Sequence, residues 1–146
     1  MEILADLGDV SLARATRDHV GTIERLLADD PTSPRHVATN TLISDDLLGV
    51  GPADADLEAV FEQIDADPNQ ELIVVLDEGD RVIGTLQLTF VRTLARGGVA
   101  RAVVSGARIR AGHDSLGIAK RMFAWAIDHA RSRGARVLIV MSEKNR

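Results

Sequence analysis

The sequence predicts an α/β fold, a mixed sheet with helices on its faces, in the order β-α-α-β-β-β-α-β. Three observations carry that prediction. Two early segments place apolar residues at helical spacing, Val20, Ile23, Leu26 and Leu27, then Leu57, Val60, Phe61 and Ile64. Residues 72–109 change to strand patterns broken by short turns. A strand, the longest amphipathic helix and a final strand then follow, a crossover that joins a parallel strand to an antiparallel hairpin.

Val10–Ala15 reads as the first strand. Thr16 stands where an N-cap belongs, ahead of a helix that should stop near Asp29-Asp30-Pro31. Residues 31–53 hold three of the four prolines and two glycines, which predicts a loop or a loosely helical excursion. Asp54 is the expected cap of the second helix and Asp67-Pro68 its stop. Leu72–Leu76 is a continuous apolar run, as a strand covered on both faces requires. Asp77–Asp80 is a turn, Arg81–Val91 a long strand, Arg92–Gly98 a loop and Val99–Ile109 the partner strand. Ile118, Met122, Ala126 and Ala130 form the stripe of the last helix, Gly134 takes its C′ position, and Val137–Met141 closes the sheet.

The chain has 146 residues, 45% hydrophobic and 27% charged, as expected of one globular domain over residues 1–146. Absence of cysteine excludes a disulfide framework, a thiolate metal site and a cysteine nucleophile. No apolar run has the length of a membrane span, so a cytoplasmic protein without a membrane partner is expected. Charge is divided: residues 1–80 carry 4 Lys and Arg against 19 Asp and Glu, and residues 81–146 carry 13 against 3. A basic half can attract a nucleotide, although the two halves of one fold can also neutralise each other. Nucleic acid is disfavoured as a partner, because aromatic residues for base stacking are scarce. The four histidines lack metal-ligand spacing. Asp65–Leu76 begins like a calcium loop but has Gln70 at the glycine position and Leu76 at position twelve. No metal is therefore expected.

The informative stretch is Ile109–Arg121, where a strand ends, a turn of small residues follows and a long helix begins. Free backbone N–H groups and the helix dipole make such a start suited to a diphosphate. Gly117 and Ala119 let a bulky anion approach the backbone, and Arg110, His113, Lys120 and Arg121 add basic groups nearby.

Here the chain resembles the GNAT (GCN5-related) N-acetyltransferase superfamily, from about Val10 to Met141 and most strongly over residues 67–130. The family motif Arg/Gln-x-x-Gly-x-Gly/Ala falls on Asp114-Ser115-Leu116-Gly117-Ile118-Ala119. The segments Gly84–Phe90 and Met122–Arg131 and the closing strand with Ser142-Glu143-Lys144 are similar too. The resemblance implies a GNAT-type acyl-CoA N-acyltransferase fold. It implies acetyl-CoA as cosubstrate, its pyrophosphate on Asp114, Ser115, Leu116, Gly117, Ile118, Ala119 and Lys120. The pantetheine arm would pair with the backbone around Ala107 and Ile109.

Three departures stand out. Asp114 occupies the position of the family's Arg or Gln. A carboxylate there either caps the helix or opposes the diphosphate, by about 1 kcal/mol in water at ~4 Å and about 4 at an effective dielectric of 20. The family's strand glutamate, which helps deprotonate the amine, is replaced by Ser105, and an unactivated serine has no useful basicity. Glu143 is the substitute candidate, its alternative being a solvated carboxylate near a chain end. The family's final helix, with its tyrosine, and final hairpin have no counterpart before Arg146, so this chain is expected to lack them, either because the protein is naturally short or because the sequence is truncated. A homodimer formed by strand exchange would cover the exposed edge.

The expected activity is transfer of acetyl to a primary amine of a small molecule, by direct attack in a ternary complex. Glu143 and Ser105 are the candidate catalytic positions. Asp29, Asp30, Asp45, Asp46, Asp54, Asp56 and Glu58 read as a solvated acidic face, but the resemblance places the first two helices and their loop beside the acceptor pocket, where such an acidic rim would favour a cationic amine. The alternative is a catalytically degenerate module that binds CoA or assembles with proteins, and a nucleic-acid binder ranks third.

Overall fold

The computed structural model describes residues 1–28, 56–113 and 117–141. Six strands form one sheet in chain order. They are β1 (Ile3–Asp6), β2 (Ser11–Arg14), β3 (Gln70–Leu76), β4 (Val82–Arg92), β5 (Ala100–Ile109) and β6 (Ala135–Val140). All neighbours are antiparallel except β5 and β6, which run parallel across the crossover helix. The helices are α1 (Val20–Ala28), α2 (Leu57–Ala66) and α3 (Ile118–Ser132). The mixed α/β sheet expected from the sequence is therefore present.

Two differences are local. A strand precedes the expected first one: β1 pairs with β2 at the sheet edge. The cap of α2 is Asp56, whose carboxylate accepts from the N–H groups of Glu58 and Ala59. Asp54, expected there, lies outside the described residues, as does the whole of the predicted 31–53 excursion. Thr16 does introduce the first helical segment, through a 3-10 turn at Arg17–His19 that runs into α1.

The alternation of β3 explains its unbroken apolar run. Ile73 and Val75 pack with Ile118, Met122 and Ala126 of α3. Val74 and Leu76 pack on the other side with Ile23 and Leu26 of α1 and Phe61 of α2. All four β3 residues are fully buried, each stabilising the fold by roughly 1.5–3 kcal/mol relative to exposure. The sheet is the middle of three layers.

One polar group enters the α3 layer. Glu71 is buried, and its carboxylate lies 2.7 Å from His129 Nε2 and accepts from Arg133. Arg133 also donates to the Pro68 carbonyl at 2.9 Å and lies 4.2 Å above the Phe90 ring. The His129 ring stacks on Trp125 with centroids 4.5 Å apart. The cluster ties the last turns of α3 to β3. At the helix end Gly134 adopts φ 92°, and its N–H reaches the Arg131 carbonyl at 3.0 Å, the C′ role expected of it.

Candidate active site

β5 keeps one neighbour along its whole length and, among the described residues, has the other only as far as Val104. On the β4 side the pairing runs to Gly84 opposite Ile109, and the Arg110 N–H extends it to the Ile83 carbonyl at 2.7 Å. On the β6 side the register ends with Val104 opposite Val140, and the Met141 N–H donates to the Val104 carbonyl at 2.8 Å. Ser105–Ile109 thus has an edge without a strand partner among the described residues. Ala107 and Ile109, the backbone positions expected to receive the pantetheine arm, lie on this stretch.

A bulge begins where β6 stops. Gln87 pairs with Ser105 and Thr85 with Arg108, so Gly106 and Ala107 together oppose the single residue Leu86. A bulge of this kind bends its strand. Gly106 takes φ 60°, a left-handed value that favours glycine. It lies beneath α1: a Cβ at Gly106 would be 3.8 Å from Leu27 Cδ2.

From Ile109 the chain turns toward α3, with the His113 N–H bonded to the Arg110 carbonyl at 3.1 Å. Gly117 is the N-cap of α3 at φ 74°, so no side chain caps the helix from that position. A Cβ added there would meet no atom of the described residues within 4 Å. Among the described residues, the first carbonyl of the helix to be used is that of Gly117, by the Arg121 N–H at 3.2 Å. The Ile118 side chain is fully buried in the core, so only its backbone can meet a ligand. Ala119 is half-buried, and Lys120 and Arg110 are exposed. The buried Nδ1 of His113 has no hydrogen-bond partner.

Arg121 departs from the basic cluster expected around the turn. Its Nη1 donates to the Leu7 carbonyl at 2.7 Å and to Asp9 Oδ1 at 2.8 Å, locking α3 to the β1–β2 turn. The hydrogen bond from Arg121 holds the Asp9 carboxyl below its usual range. Asp114, Ser115, Leu116 and Glu143 lie outside the described residues, and with them the cap-or-repulsion question at Asp114.

Ser105 faces the α1 side of the sheet. Ala102 and Val104 pack toward α3, so Arg101, Val103 and Ser105 project the other way. Beyond the bulge Ala107 and Ile109 pack toward α3, which turns Arg108 to the α1 side. Beside them Gln87 Nε2 donates to Gln70 Oε1 at 2.6 Å, and Gln70 Nε2 to Asp67 Oδ2 at 3.2 Å. Arg101, Gln87 and Gln70 were not singled out from the sequence, although alternation counted back from Val104 would have placed Arg101 and Ser105 on one face. No carboxylate occurs anywhere in β4 or β5, consistent with the missing strand glutamate.

Of the expected acidic rim, Asp56 and Glu58 line a groove with Asp18 and Glu24 beside the first turns of α1, and Asp29, Asp30, Asp45, Asp46 and Asp54 lie outside the described residues.

A strand paired on one side only as far as Val104 among the described residues, a glycine bulge and a helix start at Gly117 are joined by a match to a family model. Residues 36–146 match the acetyltransferase (GNAT) family. The chain belongs to the GNAT acetyltransferase family. This GNAT chain is similar in fold to solved structures. A transcriptional regulator from Bacillus halodurans C-125 has 27% identity and a TM-score of 0.74, with 94% of this chain and 84% of that one covered. Glucosamine-6-phosphate N-acetyltransferase from Arabidopsis thaliana has 14% identity and a TM-score of 0.66, covering 93% and 84%. A predicted acetyltransferase with acetyl-CoA from Clostridium acetobutylicum has 14% identity and a TM-score of 0.63, covering 92% and 82%. No curated protein matches the GNAT chain. Acetyl-CoA is the cosubstrate of the GNAT family. No helix among the described residues is long and apolar enough to cross a membrane, and none of their His, Asp and Glu side chains form a group of three able to hold a metal.

Proposed function

We propose that the protein transfers acetyl from acetyl-CoA to the primary amine of a small molecule, by direct attack in a ternary complex. The observation that carries this reading is the edge of Ser105–Ile109, which has no strand partner among the described residues and leads into the start of α3 at Gly117. Amides of the pantetheine arm fit the N–H and C=O groups of that edge. A pyrophosphate fits the backbone N–H groups of Gly117, Ile118, Ala119 and Lys120. Asp114, Ser115 and Leu116 complete the same turn in this proposal.

In the transfer the amine nitrogen forms a bond to the thioester carbonyl carbon, the C–S bond breaks, and CoA leaves as the thiol after taking a proton. Holding amine and thioester together supplies much of the acceleration. The amine must first lose its own proton. Ser105 has no basicity for that task, and Glu143 is assigned to it, directly or through water. The cytoplasm and a strand-exchanged homodimer remain part of the proposal.

Calorimetry with acetyl-CoA, joined to a thiol-release assay over a panel of amines, tests it. Binding with turnover is expected, and failure to bind acetyl-CoA at millimolar concentration overturns it. Binding without turnover favours a second reading, a CoA-binding or assembly module without catalysis. The observation behind that alternative is Ser105, since the α1 face of β4 and β5 has no carboxylate to act as base.

A further inference from the structure

We propose that the acceptor amine also carries an anionic group, a carboxylate or a phosphate, and that Arg101 on the α1 face of β5 binds it. This inference rests on the transferase reading and names its substrate class. Arg101 and Ser105 share that face, because Ala102 and Val104 between them pack toward α3. Arg108 joins the same face beyond the bulge, so two cationic side chains flank the residue standing where the family's base would be.

The buried Nε of Arg101 has no hydrogen-bond partner among the described residues. A guanidinium stays charged at every relevant pH, and a buried donor without an acceptor is costly. Three of the described carboxylates have other partners. Asp67 accepts from the Asn69 N–H and from Gln70. Glu62 pairs with Arg17, and Glu71 faces α3 with His129 and Arg133. A planar guanidinium offers paired donors matched to a carboxylate or phosphate. With a strand rise of about 3.3 Å per residue, Arg101 and Ser105 are about 13 Å apart at Cα. An acceptor whose amine and anion are separated by several bonds fits this spacing better than an α-amino acid.

The test compares thiol release with ε-aminocaproate and its amide, and with aminohexyl phosphate and aminohexanol. A charged-to-neutral ratio in kcat/KM of about 10 or more is expected for the better of the two anions, and which pair shows it separates carboxylate from phosphate. Arg101→Gln should bring the ratio within about twofold of one, and Arg101→Lys should retain part of it. A ratio near one in the wild type, or one that persists in Arg101→Gln, overturns the proposal. Should no amine turn over, calorimetry with hexanoate and hexyl phosphate keeps the two ideas apart. Anion binding that Arg101→Gln abolishes supports the site while the transferase reading falls, and absence of anion binding overturns the site.

Discussion

Gly84 and Ile109 are paired across β4 and β5 so closely that a Cβ on Gly84 would lie 2.7 Å from Ile109 Cδ1. The same Cβ would stand 3.0 Å from the Arg108 carbonyl and 3.1 Å from Val75 Cγ2. The missing side chain therefore sets where the end of β5 lies, and with it the edge proposed to hold the pantetheine arm. Gly84→Ala should cost about 1–3 kcal/mol in stability, as overpacking does, and weaken acetyl-CoA binding. Gly21→Ala in α1, where the nearest atom is Arg25 Nη1 at 3.6 Å, should instead stabilise by about 0.5–1 kcal/mol. Urea midpoints of the two variants check the contrast.

Gly106 offers a second handle on the edge. Its φ of 60° costs a residue with a Cβ about 1–2 kcal/mol, and the 3.8 Å approach to Leu27 leaves space for a methyl group. Gly106→Ala should lower stability by that amount. Gly106→Val adds bulk beneath α1 and should raise the Kd for acetyl-CoA further than Gly106→Ala does. Equal affinity in wild type and Gly106→Val would disconnect the bulge from cofactor binding.

The Glu71 cluster predicts a purely structural effect. Removing this carboxylate strands His129 and Arg133 at the end of α3. Arg133 keeps 32% of its side chain in solvent, so Glu71→Ala should cost about 2–3 kcal/mol, below the full penalty of a broken buried pair. Glu71→Gln, which keeps shape and acceptor, should cost less. Neither should alter the amine preference in thiol-release assays, because Glu71 faces α3 and Ser105 faces α1.

His19 predicts a pH dependence. Its Nδ1 accepts the Thr16 N–H at 3.0 Å, which requires that nitrogen unprotonated. Burial holds the His19 pKa below its ordinary 6.5, against an opposing pull from Asp18. The unfolded chain therefore binds the proton first as pH falls. This contribution to stability is full above 6.5 and declines as pH drops from 6.5 toward the folded value. Denaturant unfolding at neutral pH and near pH ~5.5 should show the loss in wild type and a smaller one in His19→Gln; identical slopes would remove His19 as its source.

Glu143 carries the catalytic prediction of the transferase reading. Glu143→Gln should lower kcat about 100-fold or more while leaving acetyl-CoA binding nearly unchanged, as loss of a general base does. A kcat within twofold of wild type would reassign deprotonation.

Helix and strand periodicity survived folding because it records burial directly. Leu57, Val60, Phe61 and Ile64 predicted α2, and the run at Leu72–Leu76 predicted a strand covered on both sides. β1 escaped because its four residues form a half-exposed edge, with too little alternation to stand out among acidic neighbours. Asp56 rather than Asp54 caps α2 because the cap is chosen by the geometry of the first turn, which two nearby carboxylates do not distinguish. Gly106, a glycine inside a strand pattern, is the sequence signal of the bulge.

The residues alone determined that a mixed sheet forms, and that a glycine-containing turn precedes its longest helix. That follows because apolar spacing and turn chemistry act over a few neighbours in the chain. Only the tertiary structure decided that β6 pairs with β5 as far as Val104, that Arg121 turns away to Asp9, and that Arg101 shares a face with Ser105. Those outcomes depend on strand register and on which of two faces each side chain takes, and both are set by contacts between segments far apart in sequence.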